Sequence, residues 1–392
     1  MRRIAGFTTW MIFYCVFLCS LTGCGANFGE VEEGPKSTTK KAKQELETSD
    51  PEKSETPEKA SNTKSKEKTT STTKSVPKEL DELELVRQSF VKKGKEKFIS
   101  GIGFPTEAKV VWVEHDQKSN DVNFASLDLE TKKEGQVEIE LPKGFFTPSL
   151  SIDGQRFGYL SFGTAATPEI VVWDVRTGKL LKKLEAPAQT SDIHLSPNGT
   201  TILARKFLVK EKKIEGTTVA SIDVETGKVS SWKNVPDFAR LSFSRDGTVV
   251  ALHTHEKKSS MPVWDSTENT LTEVSLKDTW TKPMLTPSGE HLAFLQGTNF
   301  PFEVRLFDIE TNKTHKAIPV NFSYGHLGFS LDGQLVALAG FEKLVIWNLK
   351  SGKKIGEAKT SGSAYHVVFS SKNEAIAVVT PEGITVWKLS AK

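Results

Sequence analysis

The chain has 392 residues, 52 of them Lys or Arg and 49 Asp or Glu, for a net charge of +3. So even a balance lacks the basic footprint of a nucleic-acid binder, and no nucleic acid is expected as a partner. The three cysteines, Cys15, Cys19 and Cys24, sit at the N-terminus, so the rest of the chain holds no disulfide scaffold, no cysteine metal site and no thiol nucleophile.

Arg2 and Arg3 precede an uncharged apolar run from Ile4 to Leu21. A basic start, an apolar centre and a small-residue end make a secretory signal. The other reading is an uncleaved membrane anchor, because Ile4 to Cys24 is long enough to span a bilayer. The run closes on Leu21-Thr22-Gly23-Cys24, which resembles the lipobox of bacterial lipoproteins. That resemblance implies a signal peptide over 1–23, cleavage before Cys24 and lipidation of its thiol. One acyl chain anchors only marginally, so two or three are needed. Gly25 follows where an aspartate could stand, which resembles outer-membrane sorting in Gram-negative lipoproteins. The expected location is therefore exported and lipid-anchored, on the outer membrane if the cell is Gram-negative.

Residues 24–82 read as a tether. Gly29 to Gln88 contains no aromatic residue and is mostly Lys, Glu, Ser, Thr and Pro. Such a segment buries too little apolar surface to offset its ordering entropy. As a coil of about 55 residues it reaches on the order of 40 Å. A spacer is one reading, and a binding segment for a charged surface is the other.

The body, 83–392, is repetitive. One motif is a turn: Ser151-Ile-Asp-Gly154, Ser196-Pro-Asn-Gly199, Ser244-Arg-Asp-Gly247, Thr286-Pro-Ser-Gly289, Ser330-Leu-Asp-Gly333 and the degenerate Ser370-Ser-Lys-Asn373. Asp-Gly and Asn-Gly between apolar runs mark hairpins, because the turn needs positive φ. A second motif ends a strand in a hydrophobic residue and usually Asp. Its copies are Leu127-Asp128, Trp173-Asp174, Ile222-Asp223, Trp264-Asp265, Phe307-Asp308, Trp347-Asn348 and Trp387-Lys388. These copies are spaced by roughly 40 to 49 residues, the period of a β-propeller with four strands per blade. The expected fold is all-β, a seven-bladed propeller.

The motif set resembles the WD-repeat family, and the turns also resemble the TolB-type propeller repeat. The Gly-His dipeptide typical of WD repeats has no regular place here, and Tyr324-Gly325-His326 falls inside a strand. The last blade stops after its third strand, near Trp387. Glu84 to Val91 supplies the missing outer strand, which would close the ring and remove exposed edges. A short helix over Leu80 to Val91 is the competing assignment. Phe98 to Phe104 and Val110 to Val113 are then the first two strands of blade 1. The repeated Trp173, Trp264, Trp347 and Trp387 read as core between blades, since every repeat must bury the same face on its neighbour.

Seven residues before the end of each turn motif the innermost strand carries Thr147, Asp192, Arg240, Lys282, His326 and His366. All are polar, and this strand begins at the upper mouth of the channel. In WD-repeat proteins the equivalent positions often contact partners, so these six are the candidate rim; a rim that binds only water is the alternative. Upper loops add Lys212, Lys213, Lys257, Lys258, Phe300 and Phe302, cations interleaved with Phe that suit an acidic or polyanionic partner. His253 and His255 lie two apart on a strand, facing one way, but no third ligand is near in sequence. No metal and no cofactor are expected.

No Gly-x-Ser-x-Gly elbow, His-Glu-x-x-His or phosphate loop occurs. The expectation from sequence is thus a monomeric, non-enzymatic binding or scaffolding module at the cell envelope. Its partner would be a protein or polyanionic envelope component. The alternatives are a propeller hydrolase or lyase acting on an extracellular glycan or peptide, and an envelope assembly factor.

Overall fold

The protein was analysed as a computed structural model, which describes residues 82–391 except 95, 120, 140, 142–145, 163–166, 211–212, 255–259, 277–282, 297–301 and 323–324. The signal, Cys24 and the tether up to residue 81 lie outside the described residues.

The described residues form seven four-stranded antiparallel sheets. Strand β1 (Leu83–Lys92) comes first in the chain but belongs to the last sheet. Blade 1 holds β2 (Lys97–Thr106), β3 (Lys109–Asp116), β4 (Val122–Asp128) and β5 (Glu134–Gln136). Blade 2 holds β6 (Phe146–Leu150), β7 (Arg156–Ser161), β8 (Glu169–Asp174) and β9 (Lys179–Glu185). Blade 3 holds β10 (Asp192–Leu195), β11 (Thr201–Lys210), β12 (Lys213–Asp223) and β13 (Lys233–Val235). Blade 4 holds β14 (Phe238–Phe243), β15 (Val249–Thr254), β16 (Ser260–Asp265) and β17 (Thr270–Ser275). Blade 5 holds β18 (Met284–Leu285), β19 (His291–Gln296), β20 (Phe302–Asp308) and β21 (Lys313–Val320). Blade 6 holds β22 (Gly325–Phe329), β23 (Leu335–Gly340), β24 (Lys343–Asn348) and β25 (Lys354–Lys359). Blade 7 holds β26 (His366–Phe369), β27 (Ala375–Thr380) and β28 (Gly383–Ala391), with β1 outside β28.

The ring is closed by that last sheet. Residues 83–92 form a strand, not the competing helix, and β1 pairs antiparallel with β28 from Leu83↔Ala391 to Lys92↔Gly383. The pairing is close at Gly383, where a Cβ would lie 1.9 Å from the Val91 carbonyl oxygen. Seven hydrophobic clusters fill the seven gaps between neighbouring blades. The closing gap joins Val91, Ile384 and Val386 of blade 7 to Phe104, Val110 and Trp112 of blade 1. Trp264, Trp347 and Trp387 are buried in such gaps, and Trp173 packs against one.

Each Ser-x-Asp-Gly turn is held by side chains. In blade 6, Ser330 Oγ donates to Asp332 Oδ1 at 2.6 Å and accepts from the Leu335 N–H at 2.8 Å. The N–H of Gln334 donates to the same aspartate at 3.0 Å. Blades 2 and 4 repeat this with Ser151 and Asp153, and with Ser244 and Asp246. The turn ends in the left-handed region, at φ 67° for Gly154, where a Cβ would meet the blade 1 backbone at 2.6 Å. The second motif works similarly: Asp174, Asp223 and Asp308 accept from the backbone three residues on. These turns all lie on the lower face. The upper face carries the hairpins between the second and third strands and the connectors into each innermost strand.

Candidate functional site

The innermost strands β10, β14, β22 and β26 bring different side chains to the upper mouth. Arg240, on β14, is half-buried. Among the described residues no carboxylate or hydrogen-bond acceptor pairs with its side chain. Burial pushes its guanidinium below the ordinary value. His326 and His366 face each other across the gap between blades 6 and 7, with ring centroids 5.8 Å apart. His326 Nδ1 donates to the Leu327 carbonyl at 2.9 Å. Burial, with the charge of Arg240 added, pushes His366 down to about 4, against a hydrogen bond with the Ile99 backbone. His366 is therefore a neutral imidazole at neutral pH, and it links blade 7, blade 4 and blade 1.

Asp192 is not an open rim group. It is 5% exposed, and its Oδ2 accepts from Arg205 Nη2 at 2.9 Å and from His194 Nε2 at 3.0 Å. Burial alone would raise its carboxyl, but His194 and Arg205 outweigh that and hold it at about 2. Arg205 is sandwiched between the rings of Phe207 and Phe238, each 4.8 Å from its central carbon. Its Nη1 donates to the Phe238 carbonyl at 2.9 Å, tying blade 3 to blade 4 two residues before Arg240. The side chain of His194 is 33% exposed. It is an imidazole clamped by a buried carboxylate with one edge open to solvent, the arrangement that orients a proton-transfer group.

Blade 1 adds Ser100 and His115, which sequence reading passed over. Ser100 sits at a bulge in β2 and shares a 2.8 Å hydrogen bond with His115 Nε2. Phe98 stacks on that ring at 4.6 Å and 11°, and burial pushes His115 down to about 4.

The other expected residues divide as follows. Thr147 lies on β6 with a buried hydroxyl that no described group meets. Phe302 opens β20 and packs on the core between blades 5 and 6. Lys213 begins β12, and the stretch expected as a loop there is a long hairpin in which Lys206 Nζ covers the Trp232 ring at 4.3 Å. His253 is buried on β15 opposite Arg240. Lys212, His255, Lys257, Lys258, Lys282 and Phe300 lie outside the described residues. The structure thus links Arg240, His326 and His366 among the expected rim residues, and locks Asp192 of the same register to Arg205 and His194. His194 and Arg205 escaped sequence reading, although both carried a signal. Blades 2 and 4 have Ser149 and Ser242 where blade 3 has His194, and those serines accept the N–H of Leu195 and Leu285 in the next blade.

No family model and no curated protein matches the sequence. Among solved structures, the body is similar to an oligogalacturonate lyase in complex with manganese, at 14% identity and TM-score 0.54, over 79% of this chain and 97% of that one. It is similar to an oligogalacturonate lyase from Vibrio parahaemolyticus at 12% identity and TM-score 0.55, over 78% and 97%. It is also similar to Kuenenia stuttgartiensis hydrazine synthase at 13% and 0.51, over 78% and 99%. At these identities the likeness establishes the propeller fold, and the activities are those proteins' own. The likeness does correct one expectation. The missing local motifs predict a non-enzymatic chain, but the structures that share its architecture include lyases. Propellers assemble catalytic groups from several blades, so missing local motifs are weak evidence against an enzyme.

The manganese of the first lyase finds no matching donor set among the described residues. Among the described residues no three His, Cys, Asp or Glu side chains converge. The one His pair at the mouth, His326 and His366, has a guanidinium beside it, which opposes a second cation. No step is routed through a metal.

Proposed function

We propose that the protein is an exported, lipid-anchored propeller that acts as a lyase on an acidic glycan at its upper mouth. The observation that carries this reading is Arg240, a half-buried guanidinium with no carboxylate partner among the described residues, whose charge acts on the neutral His366 imidazole. An unpaired cation drawn partly out of water is a receptor for an anion, and a planar guanidinium matches a carboxylate in two-point fashion. A uronic acid carries that carboxylate next to the ring carbon whose proton an eliminating lyase removes.

In the proposed step Arg240 pairs with the uronate carboxylate and stabilises the charge that develops on it as the adjacent C–H proton leaves. His194 takes that proton, and the imidazolium formed is held against the ionised Asp192 carboxylate. The electron pair of the C–H bond becomes a C=C bond, and the C–O bond to the leaving sugar breaks. The His194 imidazolium then gives that proton to the leaving oxygen, which restores the neutral base. His366, uncharged at neutral pH, offers a hydrogen bond to a ring hydroxyl without adding a buried second cation, and His326 lies against it.

Lipidation at Cys24 and export remain part of the proposal, supported by the signal-like run, and they would place the mouth where polymeric uronates occur. The turn resemblance to TolB-type propellers supports an envelope setting. The acidic glycan takes the place of the polyanionic partner. The test is incubation of the full-length protein with a polyuronate, following the ultraviolet absorbance of the unsaturated product. Turnover in the wild type, with a loss on the order of 100-fold or more in kcat/KM for Arg240→Gln, is expected. No absorbance change on any uronate polymer would overturn the lyase reading.

A further inference from the structure

Three aromatic side chains are exposed among the described residues: Phe90, Phe341 and Tyr365. Phe90 lies on the outer strand β1, where Arg87 covers its ring at 5.1 Å. The other two both lie on the upper face, at blades 6 and 7, whose histidines form the mouth. Phe341 is 59% exposed and occupies the two-residue hairpin tip between β23 and β24. It stands two residues beyond Ala339, the partner of His326. Tyr365 is 48% exposed and immediately precedes His366. No ring, cation or hydrogen-bonding group among the described residues meets either aromatic side chain.

Both are presented on fixed backbone. Glu342, beside Phe341, holds φ 59°, an unfavourable conformation for a residue with a Cβ. Its carbonyl accepts from Thr360 N–H at 3.1 Å, which joins the hairpin tip to the connector that carries Tyr365. In that connector Ser361 Oγ lies 3.1 Å from Thr380 Oγ1 of blade 7, and Tyr365 N–H donates to the Val379 carbonyl at 2.8 Å. The tip, the connector and the top of blade 7 are therefore tied to one another. A solvent-facing aromatic on mobile backbone carries little meaning. Two on a tied segment next to the paired histidines of the mouth are pre-organised for contact.

We propose that Phe341 and Tyr365 form a stacking shelf for the sugar rings that flank the uronate held at Arg240, so that the mouth takes an acidic oligosaccharide and not a single uronic acid. A pyranose presents a face of C–H groups that fits a flat aromatic ring, while its carboxylate and hydroxyls remain for Arg240 and the histidines. This inference rests on the reading of the mouth as a uronate site, and its test separates the two.

The test is calorimetric titration of the full-length protein with uronate oligomers of one, two and four rings, in a His194→Gln background that holds ligand without turning it over. Affinity should rise by about 10-fold or more from one ring to four, as the added rings find stacking partners. The double variant Phe341→Ser, Tyr365→Ser should lose that gain, keep the one-ring affinity and keep its melting temperature, because both rings are exposed. An unchanged gain in the double variant overturns the shelf. So does the absence of binding by any oligosaccharide, charged or neutral, which would assign the aromatics to a protein partner. Arg240→Gln reports on the mouth alone and should weaken all lengths alike. If it binds every length as the parent does while the shelf variant loses the gain, the uronate reading falls and the shelf stands.

Discussion

The lower and upper faces of this propeller are built on opposite rules. Below, blade after blade uses the same device: a Ser or Thr hydroxyl and an Asp or Asn carboxyl or amide oxygen satisfy the backbone of one turn, as at Ser151, Ser196, Ser244 and Ser330. Above, the equivalent register holds Thr147 in blade 2, Asp192 in blade 3, Arg240 in blade 4, His326 in blade 6 and His366 in blade 7. Repetition below makes the ring. Its absence above allows unlike groups to meet across the channel, which is what chemistry on a single ligand requires. Changes on the two faces should therefore fail in different ways.

The largest effect is expected from breaking the closure that both faces share. Removing residues 82–94 deletes β1, exposes the β28 edge and uncovers the apolar partners of Leu83 and Val91. Burial of each such side chain is worth about 1.5–3 kcal/mol, and nine cross-strand pairs are lost with them. The full-length protein with this deletion should lose most of its cooperative unfolding transition by circular dichroism. A melting curve like that of the wild type would show that the ring does not depend on β1.

Next comes the buried ion cluster of blade 3. Asp192→Asn removes the charge that Arg205 faces at 2.9 Å, with both residues 5% exposed. A cation left unpaired in such a place costs about 3–5 kcal/mol. Urea midpoints should fall accordingly. A loss no larger than that of an exposed pair would mean that Arg205 finds another acceptor.

Acid should act on the upper face first. The folded-state values of His115 and His366 are about 4, against about 6.5 in an unfolded chain. The unfolded chain therefore takes up more protons between those values. Stability is full above about pH 6.5 and declines as pH falls toward 4. Each histidine contributes up to about 3 kcal/mol to that loss, less whatever solvent screens. His115→Phe should flatten part of the slope in a stability-versus-pH series, and an unchanged slope would remove His115 from the account. Asp192, held at about 2, affects only the far more acidic range, as pH falls from about 3.8 toward that value.

A smaller effect is expected below. Ser330→Ala removes a buried hydroxyl and leaves the Leu335 N–H and Asp332 short of a partner. The cost should be about 1–2 kcal/mol, with ligand binding untouched. If the Ser330 variant loses ligand, the two faces are not independent.

The architecture was legible because it recurs. Seven copies of the second motif carried the blade count, and the missing fourth strand after Trp387 pointed to β1. Asp192, Arg240, His326 and His366 were legible as polar residues in an otherwise apolar strand. The cluster of Asp192 with Arg205 and His194 was not, because it depends on who faces whom. Arg205 pairs in register with Asp192 across β10 and β11, where blade 2 pairs Thr147 with Leu160 and blade 7 pairs His366 with Val379. A lone charge in the apolar stretch Thr201-Ile-Leu-Ala-Arg205 was the visible sign. Whether Asp192 would be open to a partner or locked to Arg205 depended on that pairing, and no spacing in the sequence states it. The pairing of Ser100 with His115 needed the bulge in β2, which re-aims the hydroxyl.

Arg240 is where the difference between the faces can be tested most directly. With no partner among the described residues, this half-buried charge adds nothing to the fold, so Arg240→Gln should leave the melting temperature unchanged or slightly raised. The same variant, titrated with a uronate tetramer beside the wild-type protein, should lose binding by about 100-fold, the worth of a charge-assisted pair. Wild-type affinity in Arg240→Gln, or a collapse of its stability, would contradict the account.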